Sequence, residues 1–153
     1  MLVSAASTTP APLRASLGTR LFAAALAAAA LAVLITAALI HPDPTGTGTH
    51  RQLGMPECGW LVITGYPCPT CGMTTAFSAA AHAAPFTSIK AQPFGAALAL
   101  ATAAFFWAAL HVAVFGSMLG RLFERVLAPK VLVPTALFFL AAWAFKAYLV
   151  RMG

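Results

Sequence analysis

Residues 21–40 read LFAAALAAAALAVLITAALI, twenty residues without a charge and with Thr36 as the one hydroxyl. As a helix rising ~1.5 Å per residue, the run is about 30 Å long, the thickness of a bilayer's hydrocarbon core. Arg14 and Arg20 precede it, so a secretory signal is the competing reading. Signal h-regions run about 7–15 residues and end in a small-x-small cleavage site. This run is longer and no such site follows, so it reads as an uncleaved anchor. Two further stretches read the same way. Residues 94–115 contain Thr102 and His111 but no formal charge, and Pro93 stands just ahead, where a missing N–H costs nothing. Residues 131–150 carry Pro134 in their first turn, where it is tolerated. Lys146 lies within about one turn of that run's end and can snorkel to the headgroups. Trp143 and Tyr148 suit an interfacial aromatic belt there.

Composition agrees. The 153-residue chain is 61% hydrophobic and 8% charged, against about 45–50% and about 25% in soluble domains. It cannot cover itself with water-compatible surface, and it is too apolar for disorder. Three cysteines are too few for a disulfide-scaffolded miniprotein. The net charge of +6 comes from nine Lys/Arg spread along the chain. They flank the apolar runs, which is the pattern of topology determinants, so no nucleic-acid partner is expected. With the N-terminus cytoplasmic, Arg14, Arg20, Arg121, Arg125 and Lys130 lie inside, and Arg51, Lys90, Lys146 and Arg151 outside. The basic 116–130 loop weighs most in that choice.

The expected fold is an all-α integral membrane protein. Three transmembrane helices, at about 21–40, 94–115 and 131–150, are joined by a short amphipathic or re-entrant helix carrying the Cys-x-x-Cys motif. Residues 1–18 are expected to form a disordered cytoplasmic N-terminus, and 19–153 a single helical membrane domain. The 41–93 loop between the first two spans is too long to be structureless and faces outward. Its start, HPDPTGTGTH at 41–50, reads as a flexible polar linker. Residues 60–63 are apolar but too short to span, which suggests an interfacial or re-entrant piece. Met73, Ala76, Phe77, Ala80 and Ala81 form one helical stripe, with Thr74, Thr75, Ser78 and His82 on the other side. That pattern predicts an amphipathic helix over 69–82 at the outer leaflet.

The candidate chemistry is Cys68-Pro69-Thr70-Cys71-Gly72, with Cys58 ten residues upstream. If the helix begins near Pro69, Cys68 and Cys71 stand at i and i+3, about 5–6 Å apart at Cα and within disulfide range. The helix dipole would then lower the pKa of Cys68, the logic of a redox-active pair in an oxidising compartment. A site for zinc or another thiophilic metal is the second reading. Cys58, Cys68 and Cys71 supply three ligands, and a histidine must supply the fourth. His50 or His41 in the linker could reach, whereas His82, eleven residues past Cys71 on one helix, is about 16 Å away. A structural disulfide or inert thiols is the third. A c-type haem motif needs His after Cys71, where Gly72 stands. Gly65 and Pro69 punctuate the motif, and Gly72 permits close backbone approach. Thr74 and Thr75 suit hydrogen bonds to carbonyls or across helices.

The run Thr64 to Phe77 (TGYPCPTCGMTTAF), followed by Ala91-Gln92-Pro93-Phe94-Gly95, resembles the DUF2752 family, small bacterial membrane proteins of unknown function. The resemblance covers about residues 55–115. Many members carry Arg after Cys-Gly-x-Thr and Asn before the later Pro. This chain has Thr75 and Gln92 there, like the branch reading Cys-Gly-Met-Thr-Thr, so no role for a motif arginine carries over. The resemblance implies a multi-span helical protein of the bacterial inner membrane and brings no activity with it.

Nothing else in the sequence assigns a reaction. Asp43, Glu57 and Glu124 all fall outside the spans, which argues against proton-coupled transport. His111 has no second intramembrane histidine to share a haem. There is no phosphate loop and no HExxH. Two functions compete: a thiol-redox or metal-handling membrane protein, and a non-catalytic accessory subunit with structural cysteines. Three spans make a thin bundle, so beyond the lipid bilayer the expected partner is a second copy or another membrane protein.

Overall fold

Ser16 opens the first helix: its Oγ accepts the Thr19 N–H at 3.2 Å, and α1 runs Leu17–Leu39. These coordinates are a computed structural model that describes residues 14–117 and 129–152. Residues 1–13 of the expected tail, and Arg121 and Arg125 of the orientation count, lie outside the described residues. Two other long helices, which we label α5 (Pro93–Phe115) and α6 (Pro129–Met152), join α1 as the helices long and apolar enough to cross a membrane. Thr36, Thr102 and Thr135 return their hydroxyls to carbonyls four residues back, which hides those groups from lipid.

Helices α1 and α5 pack antiparallel. At one end Ala15 N–H donates to Gly116 O at 2.8 Å. Arg20 donates to Ala113 O and Val114 O, each at 2.9 Å, so its guanidinium occupies last-turn carbonyls that α5 itself cannot use. Between the ends, Ala23, Ala27, Ala30 and Ala37 of α1 are buried, as are Ala96, Ala99 and Ala109 of α5. Small side chains let the two backbones approach, which is how helices associate where lipid removes any hydrophobic drive. Helix α6 joins more loosely. Phe138 and Phe139 hold Phe94 of α5 at ring separations of 5.8 and 5.1 Å. Exposed Leu132, Val133, Leu137 and Leu140 leave it an apolar outer surface suited to lipid.

Residues 41–92 fold as a cap over the Ile40 end of this bundle. The cap holds a 3-10 turn at Thr49–Leu53 and three short helices, α2 (Gly59–Thr64), α3 (Met73–Ala81) and α4 (Pro85–Ala91). The flexible linker expected over 41–50 is instead an ordered strap. Asp43 N–H donates to Thr49 Oγ1 at 2.8 Å, and Gln52 clasps both the N–H and the carbonyl of His41. Helix α3 starts at Met73, not 69, and lies against α1, α4 and α5. Its polar side is left to solvent only at the His82 end. Thr75 and Ser78 are buried because the Thr49 hydroxyl and the Ile40 carbonyl meet them, at 2.9 and 2.5 Å.

Two expectations for α6 are also corrected. Lys146 does not snorkel: it is 4% exposed and turns inward to donate to Gly46 O at 3.2 Å. Trp143 is no free belt residue, since its indole N–H donates to Pro67 O at 3.0 Å and ties α6 to the motif loop.

Candidate functional site

Cys58 stands immediately before α2, and Gly65, at φ +71°, ends that helix with its N–H on Leu61 O at 2.9 Å. The chain then enters a turn. Cys71 N–H donates to Cys68 O at 3.0 Å, and Met73 N–H to Thr70 O at 3.1 Å. Gly72 closes the turn at φ +86°, left-handed backbone that L side chains resist. A Cβ there would also stand 2.5 Å from Ala91 O and 2.8 Å from Gly46 O. Glycine is therefore required twice over, once by conformation and once by space.

This turn, rather than a helix start, brings the sulfurs together. Cys68 and Cys71 Sγ are 3.1 Å apart, and the three sulfurs of Cys58, Cys68 and Cys71 lie within 4.8 Å of one another. All three are free thiols, Cys71 buried and the others half-buried. The helix-start argument for Cys68 lapses, because that residue sits five positions ahead of α3. The dipole logic falls on Cys58 instead. The nearby Leu61 N–H, aided by the Cys71 and Cys68 thiols, outweighs desolvation and holds Cys58 down to about 7. Burial, followed by hydrogen bonding with Cys68 and Cys58, pushes Cys71 up to about 12.

The rest of the motif is fixed from a distance. Gln92, fully buried, donates through Nε2 to Pro69 O at 3.2 Å, while its Oε1 has no partner among the described residues. Thr75 Oγ1 meets Thr49 Oγ1 at 2.9 Å, and Thr74 lines the same cavity as the cysteines. Sequence reasoning missed Thr49, Gln92, Trp143 and Lys146 as parts of this assembly. The one signal it held was Gln92-Pro93 in the later part of the motif.

Among the histidines, His50 alone lines the cavity of about 280 Å³ that all three cysteines share. Its Nε2 meets Pro56 O at 3.0 Å. His41 and His82 stack on each other at 5.5 Å, and His82 Nδ1 is engaged by Ser78 O. His111 pairs with Ser117 Oγ at 3.0 Å. The sulfur set fits a thiophilic ion: Zn–S bonds of ~2.3 Å in a tetrahedron place sulfurs about 3.8 Å apart, within the spread found here.

No curated protein and no solved structure matches this chain. A family model does: residues 58–107, from the first cysteine into α5, match the model described as "Protein of unknown function (DUF2752)", consistent with a DUF2752 family member.

Proposed function

We propose that this membrane protein handles a thiophilic metal, zinc or a similar ion, held by Cys58, Cys68 and Cys71. The observation that carries the reading is the convergence of three sulfurs within 4.8 Å from two separate segments. Cys58 supplies a ready thiolate, and Cys71 gives up its proton on coordination. His50 lines the same cavity, but the ligand atoms that converge are the three sulfurs, which leaves the fourth position of a tetrahedral ion open. The cap lies at the opposite end of α1 from Arg14 and Arg20, which supports an N-in arrangement with the cysteines on the extracytoplasmic face of a bacterial inner membrane. The apolar outer surface of α6 supports self-association or docking to another membrane protein.

A second reading, a thiol-redox role, is favoured by Cys58 and Cys68 lying within 4.8 Å of one another at their sulfurs. Cys58, rather than Cys68, would then attack a substrate disulfide and expel one substrate thiolate. Attack by Cys68 on the mixed disulfide would release the second, so the substrate is reduced and two cysteines are oxidised. Cysteines that merely pin the cap in an accessory subunit are the third possibility.

Metal content of the purified full chain, with maleimide labelling before and after chelation, tests the proposal. One equivalent of metal, and three thiols that label only after chelation, is the expected result. Two thiols that label only after reduction, with no metal bound, would replace it with the disulfide reading.

A further inference from the structure

Lys146 is a buried charged group beside the cysteine site, within electrostatic reach of Cys71 but not among its ligands. It sits on a membrane-crossing helix, is 4% exposed, and its Nζ donates to a single acceptor, Gly46 O. An ammonium carries three donors, so two remain. No described carboxylate lies within ion-pair distance of it. Burying an ammonium without a counter-charge is expensive, and such a group inside a membrane protein marks a ligand path more often than a structural accident.

The ammonium lies on the wall of a cavity of about 470 Å³. Lys90 of α4 lines the same space, with hydroxyls from Thr45, Thr47 and Thr87. Asp43 is the carboxylate among the lining residues, and it is already committed. It accepts from Thr45 N–H at 2.8 Å, Thr45 Oγ1 at 2.5 Å and Arg51 at 3.4 Å. Two cations and several hydroxyls therefore face a space that holds no free anion. Leu149 and Val150 of α6 form an apolar side. The strap approaches the ammonium closely at Gly46, where a Cβ would stand 2.9 Å from Lys146 Nζ.

We propose that this cavity binds a phosphate-bearing group of net negative charge, with Lys146 and Lys90 as its charge partners and the threonine hydroxyls as neutral donors. Two bidding sources share that chemistry, the headgroup of an anionic lipid and free inorganic phosphate. The apolar side gives a lipid's first methylenes a surface to follow, and free phosphate has no use for it. The cavity adjoins the cysteine site, since Lys146 lies within electrostatic reach of Cys71, and the test below separates the two.

The test is thermal unfolding of the full chain in a non-ionic maltoside micelle. It is titrated separately with dihexanoyl phosphatidylglycerol, inorganic phosphate, dihexanoyl phosphatidylcholine, and sodium chloride at matched ionic strength. A saturable rise in Tm with the anionic lipid is expected, because a ligand bound only by the folded state stabilises it. Lys90→Gln should move the titration midpoint about tenfold, the loss of one charge-assisted contact. Thr87→Val should move it by about threefold, the loss of one neutral hydrogen bond. A matching response to inorganic phosphate assigns the free anion, and a response to the lipid alone assigns the headgroup. Lys146→Gln risks misfolding, so the exposed Lys90 and Thr87 carry the decision. No saturable rise, an equal rise with phosphatidylcholine or chloride, or midpoints unmoved in both variants overturns the proposal. So does a Lys146→Gln chain that folds, binds the lipid as before and loses only metal, which would make Lys146 the counter-charge of the thiolates.

Discussion

The α1–α5 pair and the cap over its end are held by opposite means. Along the pair, the buried residues are alanines together with Gly95 and Val112 of α5, and the polar ties to α1 from α5 and its flank fall at the Arg20 end. In the cap, Thr49, Thr75, Ser78, Ser88 and Gln92 are buried. Each has a partner: the two threonines hold each other, Ser78 holds Ile40 O, Ser88 holds Ala76 O and Gln92 holds Pro69 O. The difference follows from the backbone. A helix satisfies its own N–H and C=O groups, so two helices in lipid need only fit. A cap of short helices and turns leaves carbonyls over, and each must find a donor or be left buried and unpaired. Size should therefore decide stability in the pair, and polarity and backbone approach in the cap.

The largest effect is expected where the cap's backbones touch. Gly72→Ala meets both left-handed backbone and the Ala91 carbonyl, so it should cost more than ~4 kcal/mol or abolish accumulation in the membrane. Gly65→Ala has the same sign of φ, +71°, but open space around the added carbon, and should cost about 1 kcal/mol. Thermal unfolding of the two variants in detergent separates conformation from contact. Equal losses would show that close approach at Gly72 contributes nothing.

The comparison is sharpest when each region receives the other's kind of damage. Ala27→Leu in the pair overfills a contact where Ala27 is 4% exposed, and about 1–3 kcal/mol is expected. Ala27→Ser keeps the size, can bond back to a carbonyl of its own helix, and should stay within ~0.5 kcal/mol. In the cap, Ser88→Ala also barely changes size, yet it removes the 2.7 Å bond to Ala76 O and should cost about 0.5–1.5 kcal/mol. If Ala27→Ser costs as much as Ser88→Ala, the division between the two regions fails.

That division also explains what could be read from the sequence. The spans expected at 21–40, 94–115 and 131–150 correspond to helices at Leu17–Leu39, Pro93–Phe115 and Pro129–Met152. Each is declared by its own twenty or so residues, because length and hydropathy are local properties. The cap is not. HPDPTGTGTH looks like a linker until Thr49 finds Thr75 26 residues away, and Lys146 looks free to snorkel until Gly46, 100 residues away, takes its proton donor. The start of α3 is hidden for a related reason: periodicity runs through Gly72, but its left-handed backbone and the Cys68–Cys71 turn end the helix at Met73. The cysteines themselves were legible as a set. Which of them is the reactive one was not, because α2, the helix that activates Cys58, is only six residues long and carries no periodic signal.

The gentlest probe leaves the fold intact and asks how the cap treats its own sulfurs. In metal-free protein, Cys58 should alkylate first with iodoacetamide and Cys71 last, by peptide mapping after short pulses. The thiolate is the nucleophile, and a lowered pKa keeps it populated above about pH 7 and depletes it below. The rate at Cys58 should therefore climb about tenfold per unit up to pH 7 and then level off. Cys71, 6% exposed and pushed up to about 12, should still be climbing at pH 9. A Cys58 midpoint near 8.5, the ordinary value, would mean that the Leu61 N–H does not reach its sulfur. The cap would then hold three equivalent thiols, and the polarity that distinguishes it from the helix pair would stop short of its chemistry.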